Sequence, residues 1–148
     1  MTEGALGKQI ARLLVKTGEL KRRLMRNLLH NLGLHRGQPA VLRALWKQDG
    51  VTQSELTELL NRSPSTITKT VKRMERAGFV ERKSDAADER LSRVYLTEEG
   101  WNVRTALENI WRTFEEQTFA GFDEEELVIL HRLLVRVYHN LSKEAGSG

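Results

Sequence analysis

The chain has 148 residues, about one domain's worth, with 39% hydrophobic and 30% charged side chains, the balance of a soluble and rather helical protein. It has no cysteine, which excludes disulfides, thiolate zinc sites and thiol redox sensing, and no apolar run approaches the roughly 18 residues of a bilayer span. No export signal opens the chain, so a cytoplasmic protein is expected.

The net charge of +4 is unevenly spread. Residues 1–61 hold ten Lys/Arg against five Asp/Glu, residues 62–96 nine against five, and residues 97–148 five against ten. A basic body joined to an acidic final segment suggests a polyanionic partner such as nucleic acid, against the plainer reading of scattered solvated charge.

In chain order, residues 8–32 form the first expected helix, with Ile10, Leu13, Leu14, Leu20, Leu24, Leu28 and Leu32 near helical spacing. Its other face carries Lys8, Arg12, Lys16, Lys21, Arg22, Arg23 and Arg26. A second helix is expected from about His35 to Asp49–Gly50, with Pro39 in its first turn. Thr52-Gln53-Ser54-Glu55 reads as a capping box opening a short helix with Leu56, Leu59 and Leu60 turned inward. Ser63-Pro64 is an N-cap followed by proline at the first helical position, and the helix it opens carries Ile67, Val71 and Met74 on one side. Gly78 reads as the residue that stops it, followed by a packed Phe79.

Phe79–Lys83 and Arg93–Leu96 read as two strands of a hairpin around a polar loop, Ser84–Ser92. Thr97 caps a helix striped with Val103, Leu107, Ile110, Trp111 and Phe114. Asp123 and Glu126 cap a last helix carrying Leu127, Leu130, Leu134, Val137 and Leu141, a spacing suited to a helix–helix seam. Ala145–Gly148 is expected to be a frayed tail.

The order of short helix, tight turn, second helix and hairpin is that of a helix-turn-helix followed by a wing. A helix entering the major groove, about 12 Å wide, needs small polar and cationic side chains outward and an apolar face inward. Ser65, Thr66, Thr68, Lys69, Lys72 and Arg73 occupy the outer side, and the sharp start at Ser63-Pro64 leaves amides suited to a phosphate. An ordinary solvated surface helix is the bland alternative. The capping box before it, the Gly78 stop and the basic hairpin after it weigh against that.

The run "VTQSELTELLNRSPSTITKTVKRMERAGFVERK", followed by "DAADERLSRVYLTEEG", resembles the MarR family of winged-helix transcriptional regulators. The wing pattern matches as Asp88-Glu89-Arg90 and Leu96-Thr97-Glu98-Glu99-Gly100, and the flanking helices match in number and length. The resemblance implies a mainly α fold with a small β-hairpin wing (α+β). The winged helix-turn-helix of residues 35–97 would lie between an N-terminal dimerisation helix, residues 1–34, and C-terminal dimerisation helices, residues 98–148. It implies a homodimer on a palindromic operator, most often as a repressor, with Arg90 in the minor groove and Asp88 pairing nearby to hold the wing. The DNA-binding candidates are Ser63, Ser65, Thr66, Thr68, Lys69, Lys72, Arg73, Arg82, Lys83, Asp88, Arg90 and Arg93.

Family members often release DNA on binding a small aromatic or anionic effector, for which this chain offers His35, Trp46 and Trp101. No cofactor is expected. The four histidines, His30, His35, His131 and His139, lack metal-ligand spacing. No phosphate loop, nucleophile elbow or paired catalytic carboxylates appear, so the chain is not read as an enzyme. A winged-helix architectural or protein-interaction module is the alternative from another class, and a membrane role for the first helix is outweighed by dimer packing.

Overall fold

A computed structural model describes residues 3–146. The elements are α1 (Glu3–His30), α2 (Gln38–Lys47), β1 (Val51–Thr52), α3 (Gln53–Leu60), α4 (Pro64–Arg76), β2 (Val80–Ser84), β3 (Ser92–Leu96), α5 (Glu98–Thr118) and α6 (Glu124–Ala145). The helix starts follow local chemistry. Thr52 Oγ1 accepts the Glu55 amide at 3.1 Å while the Glu55 carboxylate accepts the Thr52 amide at 2.8 Å, and Asp123 and Glu126 reciprocate in the same way. Gly78, at φ 86°, turns the chain out of α4 in the left-handed conformation that favours glycine.

Several expectations are corrected. The first helix runs from Glu3 to His30 rather than 8–32, and the second begins at Gln38 because residues 31–33 and 36–37 form turns. Leu59 is 65% exposed and Leu60 half-buried, leaving Leu56 as the anchor of α3. The hairpin is part of a three-stranded antiparallel sheet in the order β1-β3-β2, with Val51 opposite Val94 and Val80 opposite Leu96. At the far end Ala145 closes α6 and Gly146 is its C-cap, while Ser147 and Gly148 lie outside the described residues.

The chain divides into two compact units, one up to Ile110 and one from Trp111 onward. In the first, α2, α3, α4 and the sheet close on Val41, Leu42, Leu45, Leu56, Ile67, Val71, Met74 and Val94, all at most 1% exposed. This core fixes the positions of α4 and the hairpin. By contrast α1 leaves Ile10, Leu13, Val15 and Leu20 exposed, and in the second unit no residue of α6 is buried.

Candidate nucleic-acid interface

The helix-turn-helix is α3 and α4, joined through Asn61, the one non-glycine residue with positive φ among those described. Ser63 Oγ accepts the Thr66 amide at 3.2 Å and lies 2.8 Å from the Thr66 hydroxyl and 3.2 Å from that of Ser65. Three of the candidate hydroxyls therefore form one exposed cluster at the tip of α4. Ile67, Val71 and Met74 bury the inner face, and Thr68 turns partly inward, its hydroxyl donating to Gln53 Oε1 at 3.2 Å. Thr68 thus braces α4 against α3. Lys69, Lys72 and Arg73 stand exposed on the outer face, and no acidic residue lies in the first turn.

The hairpin is held by a clasp whose key residue, Asp85, the sequence reading missed. Its carboxylate accepts the amides of Ala87 at 2.8 Å and Asp88 at 2.9 Å and the Arg93 Nε, while Arg93 Nη1 donates to the Gly50 carbonyl at 2.8 Å. The first cause of its acidity is the Arg93 hydrogen bond, which with those amides holds the Asp85 carboxyl below the usual aspartate value. The signal in the sequence was an aspartate at the mouth of a polar loop, the usual anchor of an Asx turn.

The three wing arginines have different surroundings. Arg82 is spent on Glu75, through Nε and Nη2 at 3.0 Å each, and Glu75 also accepts its backbone amide. Arg93 belongs to the clasp. Both were placed among the DNA candidates from sequence, and the structure gives each a partner within the protein. Arg90 pairs with Asp88 at 3.0 and 3.1 Å, yet its side chain remains 90% exposed at the wing tip. Lys83 is exposed, bonded to Glu81 at 3.1 Å and lying over the Tyr95 ring.

The suggested effector residues are not gathered in one cavity. Trp46 donates its indole N–H to the Gly100 carbonyl at 2.9 Å, Trp101 is exposed on α5, and His35 is exposed before α2. None lines the cavity of about 440 Å³ beside α4. Among the described residues no three His, Asp or Glu are grouped to hold a metal, and no helix is long and apolar enough to cross a membrane.

A sequence profile of the MarR family matches residues 34–92, the segment from just before α2 to the first residue of β3. The transcriptional regulator HosA of Escherichia coli is 34% identical over 101 residues, covering 68% of this chain and 75% of HosA. The chain belongs to the MarR family. The HTH-type transcriptional repressor IacR of Pseudomonas putida is 31% identical over 102 residues, or 67% of this chain and 61% of IacR. The crystal structure of the transcriptional regulator SlyA matches with a TM-score of 0.73 at 27% identity, covering 91% of this chain and 95% of that one. As a MarR protein the chain is a DNA-binding transcriptional regulator and not an enzyme.

Proposed function

We propose that this MarR protein is a sequence-specific repressor that binds a palindromic double-stranded operator as a homodimer in the cytoplasm. The observation that carries the reading is the pairing of two exposed features on one rigid core. The α4 face of Ser65, Lys69, Lys72 and Arg73 suits the major groove, and Arg90, held by Asp88 yet exposed, suits the narrower minor groove. Residues 35–97 carry these contacts. Residues 1–34 and 98–148 supply dimerisation, a role supported by the apolar side chains that α1 and α6 leave exposed. Repression follows the relative IacR, named as a repressor. A small aromatic or anionic effector releases the operator.

The test is selection of bound duplexes from a random DNA pool with the purified protein. An enriched inverted repeat with half-sites about one helical turn apart is the expected result. Binding without any enriched motif, abolished by moderate salt, would replace this reading with that of an architectural module.

A further inference from the structure

The cavity of about 440 Å³ beside α4 lies between that helix and the start of α2, and at about 30 Å³ per water it has room for an oxyanion and several waters. Five of its lining residues are cations, Arg36, Lys69, Lys72, Arg73 and Arg76, and none is acidic. The sixth lining residue that matters is Gln38. It is only 2% exposed, and its Oε1 accepts the His35 amide at 3.0 Å. That bond fixes the orientation of the carboxamide, because a flipped group would set two donors against each other. The Gln38 NH2 lines the same cavity and has no acceptor among the described residues. No buried side-chain nitrogen or oxygen among the described residues lacks a partner, so this NH2 is open to the cavity, where a ligand oxygen can take the place of water.

The N-terminus of α2 adds few free amides, because the Gln38 amide donates to the His35 carbonyl at 3.1 Å and Pro39 has no N–H. Its N-cap is Gly37, which offers no side-chain oxygen to the first-turn amides, and no acid lies in that turn. The five cations, with no acid on the cavity wall or in the first turn of α2, favour an acceptor carrying negative charge there.

We propose that this cleft seats a phosphate group, with Gln38 donating through its NH2 and Arg36 closing the side opposite α4. The inference deepens the DNA-binding reading above and rests on it for the backbone phosphate of an operator as ligand. A free phosphate compound has the same chemistry. Neither Arg36 nor Gln38 was among the contacts expected from sequence, and both lie outside the helix-turn-helix itself. Contacts of this kind fix register on the duplex without reading bases.

Two measurements test it on the full-length protein. In the first, fluorescence anisotropy follows binding of the selected duplex and of a scrambled duplex across a KCl series for wild type, Gln38→Glu and Arg36→Ala. Gln38→Glu keeps the acceptor for the His35 amide while removing the donor, and Arg36 is exposed, so the second variant serves should the first fail to fold. Each variant is expected to bind both duplexes about tenfold more weakly. For Arg36→Ala the salt slope falls by about one unit.

In the second, the Gln38 side-chain NH2 resonance is followed as inorganic phosphate is added at constant ionic strength. A saturable shift in wild type, weakened in Arg36→Ala, supports the cleft with free phosphate as a ligand, even if the DNA arm is silent. Losses in the DNA arm alone assign the site to the DNA backbone. Wild-type DNA binding in both variants together with no phosphate shift overturns the proposal, as does a loss confined to the selected duplex with an unchanged slope. Should wild type bind no duplex at all, the regulator reading fails, and the phosphate titration alone decides the cleft.

Discussion

Gly100 closes the Leu-Thr-X-X-Gly run, and its replacement by alanine gives a sharp test of the packing beneath the wing. It sits in the first turn of α5, where alanine would normally add up to about 1 kcal/mol of stability over glycine. Here the added Cβ would meet the Phe79 carbonyl oxygen at 2.2 Å and Leu96 Cδ2 at 2.9 Å. The first partner is backbone, so relief requires moving β2 or the start of α5. The Phe79 carbonyl also accepts the Thr97 amide at 3.1 Å, and the Gly100 carbonyl accepts Trp46 at 2.9 Å. Overpacking costs about 1–3 kcal/mol and a weakened hydrogen bond about 1 kcal/mol more. Set against the helix gain, the net loss is about 1–3 kcal/mol, a fall in Tm of about 2–12 °C for a chain of this size. Gly18→Ala in α1 is the matched control, since nothing lies within 4 Å of its added Cβ. It should raise stability by about 0.5–1 kcal/mol. Thermal unfolding by circular dichroism reads both. A Gly100→Ala protein as stable as wild type would refute the claim that contact with Phe79, rather than helix propensity, decides this position.

Three further outcomes are expected. Leu141 is 67% exposed, so its burial in a dimer would contribute about 1.4 kcal/mol per protomer, and Leu141→Ala should raise the dimer dissociation constant about a hundredfold. Sedimentation equilibrium checks this, and an unchanged constant removes Leu141 from the interface. Asp85 has its carboxyl pKa lowered first by Arg93, so the clasp is fully formed above the ordinary value of 3.8 and is lost as pH falls through the lower folded value. Exchange protection of the Ala87 and Asp88 amides should therefore hold from pH 7 to 5 and fail only below 3.8, and Asp85→Asn should weaken it at every pH. Arg90→Ala should leave thermal stability unchanged and weaken operator binding roughly tenfold or more, and equal affinity would remove the wing from the interface.

The parts of the fold that were legible in the sequence are those fixed by short-range chemistry. The capping boxes at Thr52 and Asp123, the Ser63-Pro64 start and the Gly78 stop each need only a few neighbouring residues, and each is where the pattern put it. Strand β1 was missed because two residues carry no alternation, and Val51–Thr52 becomes a strand only by pairing with Val94 and Arg93, more than forty positions away. Leu59 was turned inward because it sits three residues after Leu56, but the inward face of α3 runs through Gln53, Leu56, Thr57 and Leu60, and Leu59 lies to one side of it. At the candidate interface, cations were counted without their partners. Glu75 and Arg82 lie on either side of the Gly78 turn, so a turn that brings helix and strand together also brings these charges together. Periodicity within either element could not show that.

What separates the wing arginines is the reach of their carboxylate partners. Arg82 and Arg93 are bound to acids from other positions in the fold, and about a third of each side chain remains exposed. Arg90 is bound by Asp88 two residues earlier, so the pair can be held without being covered. Such a guanidinium loses less rotamer freedom on meeting DNA, which favours binding. Asp88 also brings a negative charge toward the phosphates, and its pKa is lowered, first by Arg90, so it remains ionised at neutral pH. Arg90→Ala therefore removes an attraction and leaves a carboxylate unopposed. The double variant Asp88→Asn/Arg90→Ala separates the two effects: recovery of part of the lost affinity would measure the repulsion, and no recovery would place the whole loss on the arginine contact.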